Sequence, residues 1–226
     1  LHKKLILFDI DGTLLTSGGA GERALRLGFR ERFGIDDDLT KVEIAGRTDS
    51  GIARCMLAAH GLPETPENLA AFFDGYLHFL AQELPVSPGR LLPGIVPLLE
   101  ILQPRPDIVL ALLTGNLERG AKLKLTHYGV WHYFEFGAYA DDHHDRGQLG
   151  HFARTRAQEK HGIEFPPEHI FVLGDTPHDI ACARAISAKA IAIATGKFSR
   201  AELGVLAPDF LFDDLGDVAK VLEIFR

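Results

Sequence analysis

The stretch Leu5-Ile6-Leu7-Phe8-Asp9-Ile10-Asp11-Gly12-Thr13-Leu14-Leu15 decides how the rest of the chain is read. Its first four residues are apolar without alternation, the pattern of a strand covered on both faces. The run ends on two aspartates one residue apart, followed by a glycine and a threonine. Asp-Gly after a strand is by itself an ordinary Asx-turn. Two carboxylates at the carboxyl end of a strand are also what a site at the edge of a parallel sheet requires. The choice between these readings rests on whether similar clusters recur.

They recur. Further candidate strands are 108–113, 134–136, 170–173, 190–194 and 210–212, with helical patterns at about 94–102, 117–128, 147–161, 177–186 and 215–225. This alternation predicts an α/β fold, a doubly wound parallel sheet of the Rossmann-like kind. Polar clusters follow the strands at Thr114-Gly115-Asn116, at 141–146, and at Gly174-Asp175-Thr176-Pro177-His178-Asp179. Strand ends of one direction share one edge, so residues distant in sequence are expected to meet in one crevice.

Residues 16–88 interrupt the pattern. They hold no convincing strand but three helical stretches, 20–33, 50–60 and 66–84, with Leu25, Phe29 and Phe33 at the spacing of one buried face. Gly18-Gly19-Ala20-Gly21 and Pro85-Val86-Ser87-Pro88-Gly89 bracket them with hinge compositions. The expected organisation is a core of residues 1–15 and 89–226 and a helical module of residues 16–88 inserted after the first strand.

Composition excludes several classes. With 46% apolar and 24% charged residues in 226, the chain is an ordinary globular one. A net charge of −7 argues against nucleic acid or an anionic membrane as partner. Two distant cysteines, Cys55 and Cys182, make no disulfide framework. Asp9 and Asp11 break the apolar run that follows His2-Lys3-Lys4, so neither a leader nor a spanning segment is expected. The expected location is the cytoplasm, as a monomer or homodimer.

Several carboxylates gathered in one crevice repel one another unless a cation joins them, and all-oxygen ligation favours Mg²⁺. Gly12 and Gly115 let backbone N–H groups approach an anion, and Thr114 offers a hydroxyl. A metal and anion donors beside an aspartate suit phosphoryl transfer, with the carboxylate as nucleophile and an aspartyl-phosphate as intermediate.

The segment Leu5 to Leu15 resembles the first signature of the haloacid dehalogenase superfamily, in its phosphatase branch. Leu113-Thr114-Gly115-Asn116 resembles the second, and Leu173-Gly174-Asp175 with Asp179 the fourth, in the family's order. The helical insertion lies where members with a small helical cap carry it. The resemblance implies Asp9 as nucleophile and metal ligand, and Asp11 as general acid and then base, its carbonyl a further metal ligand. It implies Thr114 and Gly115 as holders of the phosphoryl oxygens, beside Gly12 and Asn116. Asp175 would complete the metal ligands, with Asp179 second to it or acting through water. The third signature supplies a Lys or Arg; Lys-Pro, its commoner form, is absent, and Arg146, 29 positions ahead of Asp175, is the residue expected. Lys122 and Lys124 follow the wrong strand for that role. Gly46-Arg47-Thr48-Asp49 resembles a segment with which related caps face the site, which would set Arg47 against an anionic group of the substrate.

Plainer readings stand beside these. Asn116 is a natural N-cap, Asp175 could cap the Pro177 helix, Asp179 could complement its dipole, and Thr48 or Asp49 could cap a helix. The run Asp141-Asp142-His143-His144-Asp145 lacks the ligand spacing of a zinc site and reads as an exposed turn. Gly19-x-Gly21-x-x-Ala24 lies too far from its strand for a dinucleotide fingerprint. Arg23, Arg26 and Arg30 form a solvated stripe. The expected function is Mg²⁺-dependent hydrolysis of a small phosphorylated metabolite. A phosphotransferase of the β-phosphoglucomutase type and an idle binding module of the same fold are the alternatives.

Overall fold

In the computed structural model the described residues are 3–40 and 42–226. Leu1 and His2, which open the expected core and its weak leader-like start, and Lys41 of the insertion lie outside them. In chain order the elements are β1 (Lys4–Phe8), β2 (Leu15–Thr16), α1 (Ala20–Phe33), α2 (Asp49–Ala59), α3 (Pro66–Glu83), β3 (Arg90–Leu91), α4 (Ile95–Leu102) and β4 (Ile108–Leu113). There follow α5 (Glu118–His127), β5 (Gly137–Ala138), α6 (Arg146–His161), β6 (Ile170–Gly174), α7 (Pro177–Ala185), β7 (Lys189–Ile193), α8 (Arg200–Val205), β8 (Phe210–Phe212) and α9 (Val218–Leu222).

Six strands form one parallel sheet in the order β5-β4-β1-β6-β7-β8. Side chains along each strand alternate between its faces, and the apolar runs fill both. Ile6, Phe8, Leu110, Leu112, Phe171 and Leu173 pack with α4, α5 and α9 on one side. Leu5, Leu7, Val109, Ala111, Ile170 and Val172 pack with α6, α7 and α8 on the other. Because β1 is flanked by β4 and β6 in register, with Phe8 beside Leu112 and Leu173, the three strands end together. Asp9, Thr114 and Asp175 therefore leave the sheet at one edge.

Helices α1, α2 and α3 build a third apolar cluster around Leu25, Phe29, Ile52, Met56, Phe72 and Tyr76. Leu117 and Ala140 from beyond the sheet edge join it. Of the expected face of α1, Leu25 and Phe29 are buried and Phe33 half-buried, with Arg23, Arg26 and Arg30 exposed.

The structure differs from the sequence reading in four places. The chain enters and leaves the helical segment through an antiparallel pair, β2 with β3, too short for any periodicity to show. The strand expected at 134–136 pairs regularly only at Gly137–Ala138. Before that, Phe134 turns its ring into the core against Phe8, centroids 5.8 Å apart. Helix α8 was not anticipated, although Ser199 and Glu202 form its capping box. The last helix begins at Val218, because Asp217 accepts from the Lys220 N–H at 3.2 Å, and it tightens to a 3₁₀ turn at Glu223–Phe225.

Candidate active site

Asp9, Asp175 and Asp179 are each at most 4% exposed, and one carboxylate oxygen from each lies within 4.8 Å of the others. β1 and β6 deliver the first two, and Asp179 comes from the first turn of α7. Arg146 opens α6, whose start is fixed by Asp145 accepting from the Gly147 N–H at 2.9 Å. Its guanidinium is buried, with Nη2 2.9 Å from Asp9 Oδ1 and in contact with Asp179 Oδ1. Arg146 Nε has no hydrogen-bond partner among the described residues. Three buried carboxylates thus face one cation.

The electrostatics follow from that imbalance. Burial, then the charges of Asp9 and Asp179, push Asp175 up to about 8. Burial raises Asp9 to about 6 against the pull of Arg146. Burial works against the Arg146 cation as well, but Asp179 and Asp9 outweigh it and hold the proton more firmly. Carboxylates raised above their ordinary 3.8 stabilise the fold below that pH, and the contribution is lost as pH rises through the folded-state values. In EDTA the protein is therefore expected to lose thermal stability as pH rises from about 4 to about 8. Mg²⁺ at ~100 times its Kd is expected to add roughly 5–10 °C at the upper end of that range and less at the lower. A melting series over pH with and without the ion checks this; a Tm in EDTA that climbs between those limits contradicts it.

Neighbouring groups lock the triad. Thr13 Oγ1 donates to Asp175 Oδ1 at 3.1 Å. Asp179 Oδ2 accepts from the Thr176 N–H at 3.0 Å and its hydroxyl at 2.7 Å, so it holds the α7 N-terminus while facing Arg146. Thr176, not Asp175, is the N-cap. Gly12 has φ +85°, and a Cβ there would stand 2.3 Å from Asp175 Oδ2. Gly12→Ala is thus expected to cost roughly 1–3 kcal/mol and at least ~100-fold in activity, read by melting and initial rates.

A second polar group adjoins the first. Asp11 lies outside the carboxylate triad, and its Oδ2 accepts from Lys124 Nζ at 2.6 Å and Asn116 Nδ2 at 2.9 Å. Lys124 Nζ also donates to Asn116 Oδ1 at 2.7 Å, and Asn116 Nδ2 to Thr114 Oγ1 at 2.9 Å. Lys124 is only 3% exposed. Lys124 follows the wrong strand for the third signature, and its ammonium sits on Asp11 instead. Its position three residues after Ala121 and one before Leu125, on the buried face of α5, was the available signal.

Asn116 does not cap α5. Leu117 is the N-cap, and the orphan N–H groups go to other segments: Leu117 N–H to Asp49 Oδ2 at 2.8 Å, Glu118 N–H to Asp141 Oδ2 at 2.7 Å. Asp49 is buried, which raises it to about 6 although Lys124 pulls the other way. Thr48 caps α2 as expected, accepting from the Gly51 N–H at 3.0 Å. The 141–145 run is spent on such contacts, with Asp142 on Arg156 and Asp145 on α6.

The loop before α2 closes on the sheet edge. The Asp49 N–H donates to the Gly115 carbonyl at 2.6 Å, and a Cβ on Gly115 would stand 2.1 Å from the Arg47 carbonyl. Arg47 Nη2 pairs with Glu43 at 2.7 Å. Between the sheet edge and the helices lies a cavity of about 390 Å³. Asp9, Asp11, Gly12, Arg47, Gly115, Asn116, Arg146 and Asp175 line it, whereas Thr114 and Asp179 are buried behind the wall. From the helical side come Leu25, Ile52, Asp49 and Tyr76. Among the described residues no helix is long and apolar enough to cross a membrane.

Comparison with known proteins bears on the family and the fold. A probable phosphatase, IndB, of Dickeya dadantii is 27% identical, over 96% of this chain and 92% of that protein. A phosphoglycolate phosphatase of Vibrio cholerae is 25% identical, over 98% and 97%. The crystal structure of CbbY from Rhodobacter sphaeroides with bound phosphate has the same fold, with a TM-score of 0.75 at 20% identity over 96% of each chain. The family model for haloacid dehalogenase-like hydrolases matches residues 6–184, from β1 to the end of α7. With the first, second and fourth signatures on one sheet edge and that match over most of its length, the chain belongs to the haloacid dehalogenase-like hydrolase family.

Proposed function

We propose that this hydrolase is a Mg²⁺-dependent phosphatase acting on a small phosphate monoester through an aspartyl-phosphate on Asp9. The observation that carries the reading is the buried triad Asp9, Asp175 and Asp179 with Arg146 between two of its members. The triad fits a divalent cation because its donors are all oxygens, close together and short of positive charge. Asp9, Asp175 and Asp179 would supply carboxylates, and Asp11 its carbonyl. When bound, the ion offsets charge on the carboxylates and the phosphoryl oxygens.

The chain's own groups do the rest. The Asp9 carboxylate attacks phosphorus, the bond to the leaving oxygen breaks, and Asp11, which enters the cycle as the neutral acid, gives that oxygen its proton. Asp11 then takes a proton from water, which attacks the aspartyl-phosphate and frees phosphate and Asp9. Arg146 lowers the repulsion between Asp9 and the incoming dianion. The Thr114 hydroxyl, behind the cavity wall, accepts from Asn116 Nδ2 and so orients the amide that lines the cavity, in place of the direct phosphoryl contact expected of it. Gly12 and the Gly115 N–H give an anion room and a donor. Arg47, at the mouth, contacts the leaving portion.

Residues 16–88 act as a cap on a core of residues 1–15 and 89–226, excluding water and selecting the leaving group. Two free cysteines and the absence of a long apolar helix among the described residues suit a cytoplasmic enzyme. Hydrolysis of p-nitrophenyl phosphate, with Mg²⁺ and with EDTA, tests the reading. Metal-dependent turnover supports it, and turnover unchanged by EDTA contradicts it. Turnover only with a bisphosphate activator present would favour the phosphotransferase.

A further inference from the structure

Cations and carboxylates around the cavity are unevenly matched. Arg146 is paired with Asp9 and Asp179, Lys124 with Asp11, Arg47 with Glu43, and Lys197 with Glu22 at 3.2 Å. On the helical side Asp49 has no ion pair among the described residues, and only one of its oxygens is used, by the Leu117 N–H. Tyr76, from α3, is 2% exposed and lines the same wall, and its hydroxyl makes no hydrogen bond among the described residues. The Lys124 ammonium has three donors and spends two, on Asp11 and Asn116.

This wall therefore offers a spare acceptor on Asp49, a spare donor on Lys124 and a hydroxyl on Tyr76 that serves as either. An alcohol satisfies such a mixed set, because it donates and accepts through one atom. A carboxylate does not. It would meet the charge of Asp49, and at the rim it would have to displace Glu43 from Arg47 or Glu22 from Lys197. Leu25 and Ile52 supply apolar surface for a carbon skeleton, and about 390 Å³ admits a ligand of a few carbons beside the phosphate.

Building on the phosphatase reading, we infer that the leaving portion of the substrate is an uncharged polyol. Its hydroxyls are held by Asp49, Tyr76 and Lys124, and a leaving portion with a carboxylate is rejected. Glycerol 3-phosphate and 3-phosphoglycerate form the matched pair, differing at one carbon as alcohol or carboxylate. Calorimetric titration of each into Asp9→Asn protein with Mg²⁺ is expected to give at least ~10-fold tighter binding of the alcohol. Asp49→Asn in the same background keeps an acceptor for the Leu117 N–H and removes the charge. It should bring the two affinities to within about threefold. Equal or tighter binding of 3-phosphoglycerate, a preference that Asp49→Asn leaves unmoved, or no binding of either ester overturns the inference. Wild-type turnover of p-nitrophenyl phosphate is read in parallel. If it occurs while the titrations show no preference, the subsite fails and the phosphatase reading stands. Its absence removes the phosphatase reading, and the titrations still decide the subsite.

Discussion

Asp9→Asn is expected to lower kcat on p-nitrophenyl phosphate by about 10⁴-fold or more, because the amide cannot attack phosphorus. The same change should raise stability in EDTA. Asp9 is a buried carboxylate held near a pKa of about 6 by burial despite its contact with Arg146. Removing its charge leaves Asp179 on the guanidinium and relieves Asp175, whose own pKa Asp9 helps to raise. A gain of roughly 2–5 °C at pH 8 is expected, shrinking toward pH 5 as the wild-type carboxyl protonates. Opposite signs for activity and stability mark a residue kept for chemistry. Loss of both together would instead assign Asp9 a structural role.

Arg146→Met should do the reverse and lower both. The side chain is buried, and its Nη2 alone meets Asp9 and Asp179. Without it three carboxylates within 4.8 Å of one another have no buried cation among them. Breaking a buried pair in this way costs about 3–5 kcal/mol, or roughly 10 °C in a domain of this size. Activity should fall by at least ~10³-fold, since Asp9 and the phosphate dianion lose the charge between them. The stability loss should shrink below pH 5, where the carboxyl groups can take up protons. Arg146→Lys is the informative companion. One nitrogen makes both contacts, so an ammonium can replace it in part, and a loss of only ~10–100-fold is expected. Equal damage from Met and Lys would show that guanidinium shape matters more than charge.

What could be read from the sequence divides along a physical line. The unbroken apolar runs of β1, β4 and β6 required a sheet covered on both faces, and strands of one direction bring their ends to one edge. That logic brought Asp9, Thr114 and Asp175 to one edge, whereas Arg146 came from the family resemblance, by its spacing ahead of Asp175. Tertiary partners were not legible. Lys124 on a helix reads as solvated by default, and only Asp11 and Asn116, from other segments, make its burial tolerable. Asp49 read as an alternative cap for its own helix. Its carboxylate crosses to α5, because the α5 N-terminus has no side-chain cap of its own. Asn116, the obvious candidate for that cap, is spent on Asp11 and Thr114. The β2–β3 pair, two residues on each strand, is set by the need to bring residues 16 and 90 together and leaves no periodic trace.

The aspartyl-phosphate on Asp9 is tested most directly by trapping it. With p-nitrophenyl phosphate the leaving group needs no acid, so Asp11→Asn should be phosphorylated normally and then stall, having lost the base for water. Acid-quenched Asp11→Asn protein, digested and examined by mass spectrometry, should carry a phosphoryl group on the peptide containing Asp9, with a burst of p-nitrophenolate equal to the enzyme present. Steady release of p-nitrophenolate with no phosphoryl peptide, or a phosphoryl group on any other residue, would contradict the account.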